Sequence, residues 1–249
     1  MSKDNNAVYT NGKWEFDSNV ADCFEDMLER SIPQYDVMRD SVATLAFDIV
    51  NNLGCNDRTI NILDIGCSDG LMIERMNNKF NAISDTRIQF TGIDTSDPMI
   101  LKAKHRMLNE VIDGRVNISK CDLRVDFPSG IFDVITSVLS IQFTPIEYRQ
   151  KIIQNIYNNL STNNGCLLMV EKVLGNTDKL NQLFVKNYYD MKLENGYSQE
   201  QIDRKKLSLE GVLVPVTSDW NVDLLKQAGF RQVDVFWRWM NFVGYIAIK

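Results

Sequence analysis

A chain of 249 residues, 44% hydrophobic and 24% charged, has room for one large α/β domain and is cramped for two. Its 33 acidic residues outnumber its 27 basic ones, and the net charge of -6 argues against gripping a phosphate backbone, which calls for a basic face; a small-molecule partner is expected rather than nucleic acid. The polar stretch Met1 to Thr10 lacks the apolar core of a signal peptide, and no apolar run approaches the roughly 20 residues of a membrane span, so a cytoplasmic protein with no membrane partner is expected.

After a loose tail, Val20, Phe24, Met27 and Leu28 recur at helical spacing, which predicts an amphipathic helix over Asp17 to Arg30. Ser31-Ile32-Pro33 ends it, because proline disfavours helix in the residue before it. A second helix is predicted from Tyr35 to Asn52, closed by Gly54. Residues 1–54 are thus expected to form a helical lid beside a ligand crevice. Alternation then begins: strand Ile60–Ile65, helix Leu71–Asn78, strand Ile88–Ile93, helix Pro98–Val111 with Asp97 as N-cap, and strand Val116–Cys121. Strand Phe132–Val138, helix Pro145–Leu160 and strand Gly165–Val170 follow, and the regularity stops at Glu171. Leu174 to Ser208 predicts two helices joined at Asn195-Gly196, too long for a plain connection and read as a helical insertion, residues 174–208. A helix over Asn221–Gln227 and two closing strands around Asn241 complete one domain spanning 1–249. Seven strands in βα order predict a doubly wound, mostly parallel α/β sheet.

Five scattered cysteines (Cys23, Cys55, Cys67, Cys121, Cys166) form no C-x-x-C pair, and His105 is the only histidine. Free thiols and no metal site are expected. Met72, Met76, Met99 and Met107 read as core filler, and Phe236, Trp237, Trp239, Phe242 and Tyr245 as strand packing. His105, among Lys102, Lys104 and Arg106, reads as surface.

The chemistry concentrates at three strand ends. Ile62-Leu63-Asp64-Ile65-Gly66-Cys67-Ser68-Asp69-Gly70 reads as a buried strand breaking into a glycine turn ahead of a helix. The second strand ends in Asp94 and the third in Asp122. In open α/β sheets ligands sit at those ends, where loop amides and helix N-termini converge. The pattern suits a nucleoside with an amino-acid tail, S-adenosylmethionine (SAM). Gly66-Cys67-Ser68 would let the tail come close, Asp94 would accept the ribose hydroxyls, and Asp122 the adenine amino group with Leu123 on the ring. A dinucleotide fits poorly: that fingerprint has a second glycine where Ser68 stands and an acid about 20 residues on, whereas Asp94 comes later.

These residues carry a family resemblance. Phe16-Asp17, Arg30-Ser31-Ile32-Pro33-Gln34-Tyr35, Asp64-Ile65-Gly66-Cys67-Ser68, Ile141-Gln142-Phe143, Glu171-Lys172, Asn195-Gly196-Tyr197-Ser198 and Ala228-Gly229-Phe230 together resemble the carboxy-S-adenosylmethionine synthases, a branch of the Rossmann-like class I SAM-dependent methyltransferase fold. The likeness runs from about Trp14 to Lys249. It implies a homodimeric transferase that makes carboxy-SAM from SAM and prephenate. A sulfonium ylide captures carbon dioxide released from prephenate, and the product serves tRNA wobble-uridine modification by another enzyme. By position, the resemblance implies cofactor contacts at Tyr35, Gly66, Cys67, Ser68, Asp94, Thr95, Asp122 and Leu123.

Two positions depart from the family. Its asparagine falls on Val138, and the arginine that binds the new carboxylate falls on Lys206, unless the alignment slips and Arg204 takes that role. A guanidinium holds a carboxylate by two parallel hydrogen bonds, whereas lysine offers a point charge. The departures favour a SAM-dependent methyltransferase acting on a small metabolite, anionic where Lys206 meets it. The alternatives are the family activity with Lys206 in place of arginine, and a non-catalytic regulator that binds a SAM-like nucleoside. The bound nucleoside would be SAM or S-adenosylhomocysteine, or carboxy-SAM under the family activity. Tyr35, Tyr197 and Lys206 are the expected catalytic residues, with Ser140, Gln142 and Glu171 as further pocket candidates.

Overall fold

The structure, a computed structural model, describes residues 12–52, 58–81 and 87–249. The expected tail at Met1 to Thr10, the stop at Gly54 and Cys55 lie outside the described residues. Helix α1 (Ser18–Ser31) opens where the Asp17 carboxylate accepts the Val20 amide at 2.9 Å, and it buries the apolar face Val20, Phe24 and Met27. Helix α2 (Tyr35–Asn52) follows the Pro33 turn and buries Tyr35, Met38, Arg39, Val42, Ala43, Ala46 and Val50 along one stripe.

The alternating core comprises β1 (Ile60–Ile65), α3 (Leu71–Phe80), β2 (Ile88–Asp94), α4 (Asp97–Arg106), α5 (Leu108–Ile112), β3 (Val116–Lys120), β4 (Val134–Val138), α6 (Ile146–Asn159) and β5 (Cys166–Leu174). Then come α7 (Asp178–Glu194), α8 (Gln199–Ser208), β6 (Val216–Thr217), α9 (Ser218–Ala228), β7 (Gln232–Trp239) and β8 (Phe242–Ile248). The sheet order is β3-β2-β1-β4-β5-β8-β7, parallel from β3 to β5 and antiparallel at β8 and β7, with two-residue β6 on the end of β5. Order reverses between β1 and β4, so the switch point opens beside the Gly66 turn. β1 is apolar almost throughout because helices cover both faces: Ile60 and Ile62 face α2 and α3, while Leu63 and Ile65 face α6 and α9.

Several boundaries differ from the sequence reading. Ser96, not Asp97, caps α4: its hydroxyl accepts the Met99 amide at 3.4 Å and donates to the Phe16 carbonyl at 2.6 Å, leaving Asp97 to pair with Lys120. The expected single helix over Pro98–Val111 breaks at Met107, which buries its side chain. β5 runs through Glu171 to Leu174, because β8 pairs with it as far as Lys172 and β6 takes its last two residues. α9 begins at Ser218, with Thr217 as its cap. Met72, Met76, Met99 and Met107 are core, His105 is exposed, and Cys23, Cys67, Cys121 and Cys166 are free thiols. Among the described residues no helix is long and apolar enough to cross a membrane.

Candidate active site

A cavity of about 560 Å³ lies at the carboxyl ends of β1, β2, β3 and β4, walled on its far side by α1, α2, α7 and α8. Trp14, Phe16, Phe24 and Phe143 close part of that wall through edge-to-face contacts, with ring centroids 5.2 to 6.2 Å apart.

Under β1 the chain turns sharply. Gly66 has φ +68°, and its amide and that of Cys67 both donate to the Ile93 carbonyl, at 2.8 and 2.9 Å. A Cβ at Gly66 would overlap the Ser140 side chain, so the left-handed conformation and the close approach both require glycine. Gly66→Ala is expected to lower the melting temperature by several degrees, and Gly66→Ala/Ser140→Gly to recover part of the loss, both readable by thermal denaturation.

Asp94 braces this turn. Its Oδ2 accepts the Ser68 amide and its Oδ1 the Ser96 amide, each at 2.9 Å, while burial pushes the carboxyl above its usual range. Thr95 lines the cavity next to it. Asp122 and Leu123 line the adjacent stretch under β3. Arg124 grips the Asp122 carboxylate through Nε and Nη2 and holds its pKa below the usual range, a partner the sequence reading did not foresee. Asp64, at the base of the turn, is buried: Thr136 donates to Oδ1 at 2.6 Å, Oδ2 has no partner, and burial pushes the acid up to about 7.

The stretch after β4 is clamped from below. The amide of Ile141, in a one-turn 3-10 helix (Ile141–Phe143), donates to the buried Glu171 carboxylate at 3.1 Å. Arg149 donates to the carbonyls of Thr144, Gln142 and Val214 at 2.9, 3.0 and 2.7 Å. Glu171, pushed by burial up to about 8, therefore holds the loop and does not line the cavity. Gln142 lines it, but its Oε1 is occupied by the Lys172 amide at 2.7 Å. Ser140 and Val138 also line it.

Beyond β4 the wall turns positive. Lys172, Lys192, Lys205 and Lys206 all line the cavity, and none is salt-bridged to a carboxylate of the described residues, the exposed rim residue Glu210 included. The Lys172 ammonium lies 4.2 Å from the Tyr188 ring centroid, that of Lys192 lies 4.6 Å from the Tyr197 ring, and Lys205 sits over Trp14. Burial, then the neighbouring lysine, lowers Lys172 to about 8; burial and Arg30 lower Lys192 to about 8; Lys205 falls well below the ordinary value. Arg204, by contrast, pairs with Glu200 on the exposed face of α8 and does not line the cavity.

Tyr35 lies on the cavity wall with the Arg39 guanidinium 4.0 Å from its ring centroid, and burial raises its hydroxyl pKa above the ordinary value. Tyr197 is not brought to the site. Its buried hydroxyl donates to the Met27 carbonyl at 3.3 Å and lies 3.0 Å from Ser31 Oγ, so it braces α1 against the start of α8. Its ring lies beneath the Lys192 ammonium, while its hydroxyl is directed at α1. The sequence reading singled out only Lys206 of the four lysines. A cation on the same helical stripe as Tyr188 was the available sign for Lys192.

A parallel sheet reversing at a glycine turn, with acids at the next two strand ends, is the architecture of SAM-dependent methyltransferases. A family model described as "Methyltransferase domain" matches residues 62–163. Solved structures agree on the fold: a CurJ carbon methyltransferase (TM-score 0.61, 15% identity, 86% of this chain and 54% of that one) and human N-acetylserotonin methyltransferase (0.59, 16%, 93% and 55%). The chain spans about half the length of those two. Carboxy-S-adenosyl-L-methionine synthases from Methylococcus capsulatus (35% identical, 94% of this chain and 93% of that one), Nautilia profundicola (36%, 95% and 95%) and Staphylococcus epidermidis (34%, 97% and 99%) align over nearly the full length. The chain belongs to the carboxy-S-adenosyl-L-methionine synthase family.

Proposed function

We propose that the chain is a SAM-dependent transferase that converts SAM and prephenate to carboxy-SAM. The observation that carries the reading is the group of four cavity lysines without a carboxylate partner, on the far side of the β4 end from Asp94 and Asp122. Lys206 is exposed at the rim, whereas Lys172, Lys192 and Lys205 sit deeper; ammonium groups held there without a counter-charge are costly, and an anionic reactant entering the cavity offsets that cost. Lys206 stands among three further cations, so the exchange of the family arginine leaves the reacting end positive. This moves the conclusion away from methyl transfer, which the departures at Lys206 and Val138 had favoured.

The SAM-binding wall is Tyr35, Gly66, Cys67, Ser68, Asp94, Thr95, Asp122 and Leu123, which hold and orient the nucleoside. Bound there, SAM supplies an acidified methyl carbon. The lysines hold the carboxylates of prephenate and the carboxylate that forms. The aromatic wall and helices α1 and α2 exclude water. We also place a homodimer contact on α7, which buries only Tyr188 and Lys192 and exposes Leu180 and Leu183.

Incubation with SAM and prephenate, read by mass spectrometry, is expected to yield carboxy-SAM, phenylpyruvate and water, the hydroxide that leaves prephenate taking up the proton lost from the SAM methyl. Absence of carboxy-SAM at saturating prephenate would return the reading to methyl transfer onto another small anion, which the apolar Val138 on the cavity wall favours. Ligand binding without either product would leave a nucleoside-binding regulator. Prephenate affinity is expected to weaken as pH rises through about 8, because Lys172 and Lys192 lose their protons there.

A further inference from the structure

Resting on the reading that the cavity takes SAM, we propose that Arg39 anchors the amino-acid carboxylate of that ligand. Arg39 is 4% exposed, yet it stands on a stripe of α2 that is otherwise apolar apart from Tyr35. Its Nη2 donates to Asp36 Oδ1 at 3.0 Å. Its Nε and Nη1 are buried with no hydrogen-bond partner among the described residues. A guanidinium has five N–H donors, so three of them go unanswered, a costly arrangement unless a ligand completes it.

The strand order says which part of the ligand arrives. Asp122 lies two residues past the end of β3 and Asp94 ends β2, so adenine and ribose lie over those two strands. The next strand in the sheet is β1, and the tail therefore passes over Gly66-Cys67-Ser68, in the cavity to which α2 also presents Tyr35 and Arg39. The tail is a zwitterion. The same cavity wall carries a second buried group with an unmet bond of opposite character, Asp64 Oδ2, an acceptor suited to the ammonium. An orphaned donor set and an orphaned acceptor in one cavity offer partners of both signs to a zwitterion.

Tyr35 fixes the guanidinium plane by stacking at 4.0 Å, and the exposed Asp36 holds one corner. Both leave Nε and Nη1 for the ligand. This contact is separate from the lysines, which lie beyond β4 and face the other reactant.

The test measures dissociation constants by calorimetry for SAM and for its decarboxylated analogue, which keeps the sulfonium and the amine but lacks the carboxylate. The unmodified protein should prefer SAM. Arg39→Met should weaken SAM roughly 10- to 100-fold while changing the analogue by less than about twofold, as expected for losing charge-assisted hydrogen bonds. Arg39→Lys, which keeps the charge and guards against a misfolded methionine variant, should show an intermediate loss for SAM alone. Equal weakening of both ligands, or of neither, overturns the proposal while leaving the SAM reading intact. Failure of the unmodified protein to bind either ligand overturns both.

Discussion

Asp94→Ala is expected to abolish measurable SAM binding, a loss of at least about 100-fold in affinity. Two ribose hydroxyls bound to one ionised carboxylate account for that range, since a hydrogen bond to a charged group contributes about 1.5–3 kcal/mol. A second loss adds to the first. The same carboxylate accepts the Ser68 and Ser96 amides, so alanine also loosens the glycine turn and the start of α4. Asp94→Asn keeps an acceptor for one of those amides and should fall between the two. Calorimetry with SAM, alongside a thermal melt, separates the contributions. Unchanged affinity in Asp94→Ala would mean that the ribose does not lie over β2.

The second large effect is expected at Lys172. Lys172→Met should reduce prephenate-dependent turnover about 100-fold, leave SAM affinity within about twofold, and raise the melting temperature. Activity and stability move in opposite directions because the ammonium is held in a cavity without a carboxylate partner, its pKa lowered from 10.5 to about 8 by burial and by Lys192. A base whose folded pKa lies below its unfolded one binds fewer protons in the folded protein between those values. Stability therefore bears the full cost below pH 8, and the cost is relieved as pH rises from 8 to 10.5. The stability advantage of the methionine variant should be largest below pH 8 and shrink above it, as melts of both proteins across pH 6 to 10 would read. A variant that is less stable at pH 7 would show that Lys172 has a structural role instead.

Much of the fold was readable because the relevant forces are local. β1 declares itself by an apolar run covered on both faces, and Pro33 and Gly66 mark their turns by backbone restriction. The β5 boundary was missed because Glu171-Lys172 looks like surface charge. In the folded chain Glu171 accepts a loop amide from beneath and Lys172 faces a cavity, so both belong to a strand. Tyr197 misled for a related reason. A motif says that a residue matters but not where its hydroxyl points, and here it points at Met27 and Ser31. The lysines come from β5, α7 and α8, and only tertiary packing brings positions 172, 192 and 205 to one wall. Arg39 was legible in principle, as a cation on the buried stripe of a helix.

The edge-to-face ring wall of Trp14, Phe16, Phe24 and Phe143 has a consequence for the fate of a gas. In the reaction proposed above, the carbon dioxide set free from prephenate would be neutral and apolar, and lysines holding its parent anion would lose their grip on it at the moment of release. Retention then depends on the aromatic barrier rather than on charge. A molecule that small diffuses out of an open cleft far faster than most chemical steps, so the yield of carbon–carbon bonds per prephenate consumed becomes a measure of how tightly those four rings close.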